Sequence, residues 1–166
     1  MRIRLVLALA IVVVLFVAAA TFLALWRGGP GGPGGSGTAG VLTTTYTDVR
    51  VGDAKAIAFE PSGRHHEERV LIVRTNPTTV HAFRGVSTHL GCRLLLPGDA
   101  GYGRGFTDTS RHTYFEDPCG GSVYSLDGDC TGGPCPRDLD RYAIEVRDDH
   151  VDIDTHQLTR GAPRGA

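Results

Sequence analysis

Two short segments constrain this chain more than any other part of it. The first, Ser87–Cys92, reads Ser-Thr-His-Leu-Gly-Cys, and the second, Asp117–Ser122, reads Asp-Pro-Cys-Gly-Gly-Ser. Each combines cysteine with glycine and small polar residues, and each interrupts a series of short runs rich in β-branched and aromatic residues. Runs of that kind, bounded by turn residues, predict strands. The two segments are therefore expected to be loops between strands of one β domain.

Short β-like runs recur along the chain beyond Val41, and none of it shows sustained helical periodicity. In chain order they are 42–46, 56–59, 70–73, 80–83, 93–96, 113–115, 123–126, 142–147 and 151–154. The run 70–73 is apolar throughout, which predicts a strand buried on both faces. Asp148-Asp149 predicts a hairpin turn between the last two runs. Eight or nine short strands with regular turns predict an all-β domain, sandwich- or barrel-like, at 41–156.

Two polar stretches fall outside this strand pattern. Residues 97–111, rich in Gly, Asp, Ser and Thr, are expected to form a surface insertion between the two loops. Residues 157–166 contain three glycines or prolines near a chain terminus, at Gly161, Pro163 and Gly165. Such a terminus is expected to be a disordered tail.

The two loops resemble those that hold the iron–sulfur cluster in Rieske proteins, which read Cys-x-His-x-Gly-Cys and Cys-x-Cys-His-Gly-Ser. In that family one Cys and one His from each loop ligate a [2Fe–2S] centre, and the other two cysteines form a disulfide between the loops. The resemblance continues in Gly121-Ser122-x-Tyr124 and in the proline-containing run from Gly133 to Tyr142. It implies a Rieske-like head made of small antiparallel sheets.

Only part of the family's cluster-binding pattern is present. His89 keeps one ligand position, whereas Ser87 and Asp117 stand where the ligand cysteines belong and Gly120 stands where the second histidine belongs. A Rieske centre needs two thiolates on one iron and two imidazoles on the other. A serine hydroxyl and a carboxylate do not replace the two thiolates, and glycine has no side chain to replace the second imidazole. We therefore expect no cluster, with these four positions as the remnant of its site.

The chain has four cysteines, and an even number indicates two disulfides if the domain lies outside the cytoplasm, as the N-terminal segment described next predicts. Four cysteines allow three pairings. The resemblance implies Cys92 with Cys119, which leaves Cys130 with Cys135. A zinc site is the rival interpretation, with Cys130 and Cys135 as one half and His89-x-x-Cys92 as the other.

The first 40 residues predict an anchor and a tether. Leu5 to Trp26 contains no charge and would span about 33 Å as a helix, enough for a hydrocarbon core of about 30 Å. A cleaved signal peptide is the alternative, but its apolar region is usually only about 7–15 residues. The anchor domain is thus 1–27. The positive-inside rule places its N-terminal end in the cytoplasm and the head outside. Residues 28–40, with eight glycines, predict a flexible tether spanning about 20 Å.

Charge excludes a nucleic-acid partner. Three of the 17 basic residues flank the anchor, which leaves 14 basic against all 18 acidic residues from Val41 onward, and no basic stripe to neutralise phosphates. We expect a membrane-anchored, non-catalytic and cluster-free subunit that binds partners in a respiratory or other electron-transfer membrane complex. Two alternatives stay open: an electron-transfer protein that still holds [2Fe–2S], and a protein that binds a single metal through His89 and Asp117.

Overall fold

The computed structural model describes residues 40–60, 68–104 and 114–165. The expected anchor at 1–27 and almost all of the tether at 28–40 lie outside these ranges, as does part of the expected insertion at 97–111. No helix in the described ranges is both long and apolar enough to cross a membrane. The anchor, the tether and the domain boundaries after residues 27 and 40 therefore remain predictions.

The described part of the chain is built from strands, as the sequence predicts. A six-stranded antiparallel sheet has the order β1-β9-β8-β4-β3-β2, and a three-stranded sheet has the order β5-β6-β7. The strands are β1 (Val41–Thr45), β2 (Asp53–Phe59), β3 (Glu68–Asn76), β4 (Thr79–Arg84), β5 (Phe115–Glu116), β6 (Val123–Tyr124), β7 (Cys130–Gly132), β8 (Arg141–Arg147) and β9 (His150–Thr159).

The core explains why the apolar run in β3 is continuous. All four residues of Val70–Val73 are fully buried, and they alternate between two apolar clusters. Leu71 and Val73 join a cluster that also takes Phe115 and Tyr124 from the small sheet. Val70 and Ile72 face a second cluster built within the large sheet. Since side chains alternate across a strand, β3 is buried on both faces, which confirms the prediction.

Two details of the strand pattern differ from the sequence prediction. The run 93–96 forms only isolated bridges, Val86 to Arg93 and Leu95 to Glu116, because it crosses between the two sheets instead of joining one of them. Strand β7 was not predicted, since Cys-Thr-Gly is too short to show a β pattern.

The Asp148-Asp149 turn is confirmed, and Asp148 has a φ of 49°, the left-handed conformation such a turn requires.

The expectation of a disordered tail is wrong for residues 157–165. Strand β9 runs to Thr159, and the segment after it hydrogen-bonds to the chain before β8. The Asp138 N–H donates to the Ala162 carbonyl (2.9 Å), and the Arg164 N–H donates to the Pro136 carbonyl (3.0 Å). Composition alone indicated disorder, but these bonds to a distant segment hold the tail in place.

Candidate functional site

The two loops singled out in the sequence have the same backbone geometry. In loop 1 (Ser87–Cys92) the Ser87 N–H donates to the Cys92 carbonyl (2.8 Å), and the Gly91 N–H donates to the Ser87 carbonyl (3.0 Å). The same two bonds in loop 2 (Asp117–Ser122) measure 2.8 and 3.0 Å, with Gly121 in the place of Gly91. Both glycines have a positive φ, 74° and 79°. Few residues other than glycine adopt that conformation, so each glycine is needed for its turn.

Two disulfides pair all four cysteines. Cys92 joins Cys119 and ties the two loops together with their Cα atoms 6.2 Å apart, and Cys130 joins Cys135. Both pairings confirm the prediction. No cysteine is free. The zinc interpretation that used Cys130 and Cys135 is therefore wrong for this oxidised form, because their sulfurs are bonded to each other.

Ser87 occupies the first thiolate position as a buried and hydrogen-bonded hydroxyl. Only 3% of it is exposed, its Oγ lies 3.2 Å from the Tyr124 hydroxyl, and it accepts the His89 N–H (3.2 Å). The Tyr124 oxygen also accepts the Thr88 N–H at 3.0 Å. Thr88 in turn donates its hydroxyl to the Arg137 carbonyl (2.7 Å). These bonds fix loop 1 to β6 and to the segment 133–139, which contains Arg137, so Ser87 is a structural link.

Asp117 occupies the second thiolate position and is completely buried. Its Oδ1 accepts the N–H groups of Cys119 (2.9 Å) and Gly120 (3.1 Å), as an Asx turn does. Its Oδ2 has no hydrogen-bond partner among the described residues. Asp117 thus shapes loop 2 with one oxygen, while the other oxygen is left buried and unsatisfied.

Gly120 and His89 meet where the family has two imidazoles. A Cβ built on Gly120 would lie 2.6 Å from His89 Nδ1 and 3.0 Å from Asp117 Oδ2. The His89 ring therefore takes up the space into which a side chain at position 120 would project. The structure brings the four predicted positions together on one face, and among the described residues His89 supplies the imidazole there.

The proline loop, residues 133–139, covers loop 2 at close range. A Cβ on Gly133 would lie 2.0 Å from the Gly121 carbonyl oxygen, so a side chain cannot fit there. An ion pair between Arg137 and Asp140 (3.0 Å) and the buried Leu139 hold this loop against the domain. The tail, through its bonds to Pro136 and Asp138, braces the loop from the other side.

Thr88 and the tail also support this site, and the sequence alone does not indicate either contribution. Thr88 lies at a variable position of the loop pattern, and its hydroxyl role depends on a carbonyl 49 residues away. The tail segment carries no strand pattern beyond 154. Neither contact leaves a local signal in the sequence, because both depend on how the domain folds.

The donors on this face do not fit a [2Fe–2S] cluster. The cluster needs two thiolates and two imidazoles, whereas both loop cysteines are joined in a disulfide, the Ser87 hydroxyl is hydrogen-bonded and Gly120 offers no donor. His89 is the one family ligand that remains. What this face offers chemically is an exposed imidazole, a buried carboxylate and a disulfide.

Comparison with known proteins agrees with the loop geometry. Residues 44–143, more than half of the chain, match the family model for the Rieske [2Fe–2S] domain. The match begins in β1 and ends in β8, so it includes both loops, the small sheet and the proline loop. A search of curated proteins found no match. On the strength of the domain match, this chain belongs to the Rieske [2Fe–2S] domain family.

Proposed function

We propose that this Rieske-fold protein works without the cluster, as a membrane-anchored binding subunit of a respiratory or other electron-transfer membrane complex. The observation that carries the proposal is the state of Ser87. Where the family has a ligand thiolate, this chain has a hydroxyl that is 3% exposed and hydrogen-bonded to Tyr124 and to the His89 N–H. The position is used to build the loop, not to bind iron.

The loop face has the properties of a preformed binding surface. Leu90, at the tip of loop 1, is 61% exposed, and the His89 ring beside it is exposed as well. The disulfide, the Tyr124 hydroxyl and the proline loop hold both loops in one conformation. A rigid surface loses little conformational entropy when it binds, so an exposed apolar tip on a braced loop favours partner recognition.

The anchor and the tether complete the proposal. Leu5 to Trp26 would hold the protein in the cell membrane with its N-terminus in the cytoplasm and the head on the extracytoplasmic side. A tether of about 20 Å would let the head reach a neighbouring subunit. Two disulfides in the head agree with an oxidising compartment. Electron transfer itself would then belong to a companion subunit.

The test is co-purification from detergent-solubilised membranes, with Leu90→Asp as the probe and Val146→Asp as the matched control. Val146 is also exposed, at 45%, but it lies beside the β8–β9 turn. We expect a membrane-protein partner to co-purify with the natural chain and with the control, and to be lost with Leu90→Asp. Equal retention by both variants, or by neither, would contradict a binding role for the loop face.

A further inference from the structure

Three atoms that can bind a metal lie together at the junction of the two loops. The sulfurs of Cys92 and Cys119 and a carboxylate oxygen of Asp117 are all within 4.8 Å of one another. A fourth donor is close, since His89 Nδ1 and Asp117 Oδ2 both lie within 3.0 Å of the same point above Gly120. This set uses the two bracing cysteines, which are not cluster ligands in the family pattern.

The unsatisfied carboxylate oxygen is an independent sign that something binds here. Asp117 is completely buried, and its Oδ2 lacks a hydrogen-bond partner within the described ranges. Leaving a buried acceptor unpaired destabilises the folded state, and a charged acceptor does so more strongly. A cation coordinated by Oδ2 would remove that cost.

In the oxidised protein the two sulfurs are weak donors, because the thiolate is the form of cysteine that binds metals. Reduction would change this. Cys119 is exposed and Cys92 is partly exposed, so a reductant can reach the disulfide. The product would be two thiols beside a buried carboxylate and an imidazole.

We propose that reduction of the Cys92–Cys119 disulfide turns this face into a site for one zinc-like divalent cation, held by the two thiolates, Asp117 and His89. A dithiol reductant supplies two electrons and two protons and becomes a disulfide itself, and both cysteines become thiols. The metal then displaces the two thiol protons into water. Two thiolates, one carboxylate and one divalent cation leave a net charge of about −1 at the site.

The dimensions suit zinc. Zinc binds sulfur at about 2.3 Å and nitrogen or oxygen at about 2.0–2.2 Å in tetrahedral geometry, which places neighbouring donors about 3.3–3.8 Å apart. The two sulfurs and the Asp117 oxygen already lie within 4.8 Å of one another, and the exposed His89 ring would turn towards them to supply the fourth donor. The metal would also replace the disulfide as the brace between the loops. This inference does not depend on the proposed partner binding.

The experiment uses the full-length chain in mild detergent, with Co²⁺ as a spectroscopic probe and Zn²⁺ as its competitor. A Cys130→Ser/Cys135→Ala variant ensures that only one disulfide responds. A phosphine reductant, oxidised with water supplying the oxygen and the two thiol protons, avoids adding metal-binding thiols. After reduction we expect one Co²⁺ per chain, with sulfur-to-cobalt charge-transfer absorption that Zn²⁺ abolishes. The same variant before reduction should show no such absorption.

Two further variants identify the ligands. Asp117→Asn keeps the Asx turn, because the amide oxygen can still accept both N–H groups, and should weaken binding by at least about 10-fold. Adding Cys92→Ser/Cys119→Ser to the Cys130→Ser/Cys135→Ala variant should abolish the charge-transfer absorption completely. Circular dichroism checks that each variant is folded. Charge-transfer absorption before reduction, its absence afterwards, or unchanged affinity in folded Asp117→Asn would overturn the proposal.

Discussion

Adding one methyl group at Gly133 should destabilise the protein strongly, because this glycine lets the proline loop pack on loop 2. Its φ is 75°, and an L-residue in left-handed backbone costs about 1–2 kcal/mol. The new Cβ would also lie 2.0 Å from the Gly121 carbonyl oxygen, which is backbone and cannot rotate away. Overpacking of this kind costs about 1–3 kcal/mol. For Gly133→Ala we therefore expect a loss of about 2–5 kcal/mol.

Gly120→Ala is the matched control. There the nearest atom to the new Cβ is His89 Nδ1 at 2.6 Å, and that ring lies on an exposed loop and can turn outward. Asp117 Oδ2, at 3.0 Å, must shift by a few tenths of an ångström. Alanine also lowers the entropy of the unfolded chain, which is worth about 0.4–1 kcal/mol. The net change should be within about 1 kcal/mol.

Urea unfolding of the oxidised full-length chain in detergent, followed by circular dichroism, measures both variants. Gly133→Ala should have the lower unfolding midpoint by a wide margin at an unchanged slope. If the two variants were equally stable, or if Gly120→Ala were the worse, the packing described for the two loops would be wrong.

Three more predictions concern the same domain. Replacing Cys92 and Cys119 by serine should lower the unfolding free energy by about 3–4 kcal/mol, the chain-entropy value for a sequence separation of 27, and a urea titration showing no loss would contradict it. Tyr124→Phe removes the hydroxyl that accepts the Thr88 N–H and should cost about 1–3 kcal/mol, measured by urea unfolding, whereas an unchanged midpoint would refute the link. Burial lowers the pKa of His81, so stability should fall as the pH drops below about 6.5 and level off below the folded-state pKa. His81→Gln should reduce that fall in pH-dependent unfolding, and an identical pH profile would exclude His81 as its source.

Much of the domain could be predicted because its signals are local. The apolar run Val70–Val73 predicts a strand buried on both faces, and Asp148-Asp149 predicts the hairpin turn that the structure contains. The disulfide between Cys92 and Cys119 followed from the family pattern, which encodes a contact between distant loops. The length of the apolar run, the turn residues and the spacing of the loop cysteines are all visible in the sequence.

The rest depends on contacts that leave no local pattern. Nothing near Asp117 in the sequence shows that one oxygen would cap its own loop while the other would be buried without a partner among the described residues. The placement of His89 over Gly120 follows from how the disulfide brings the loops together. The tail looked disordered by composition, and only its bonds to Pro136 and Asp138 place it.

The iron and acid-labile sulfide content of the full-length chain, purified without oxygen, tests most directly whether the domain works without a cluster. We expect neither element in stoichiometric amount and no Rieske-type EPR signal after reduction. Two irons and two sulfides per chain, with that signal, would contradict it. Such a result would mean that donors other than Ser87 and Gly120 complete the cluster, and that the domain transfers electrons.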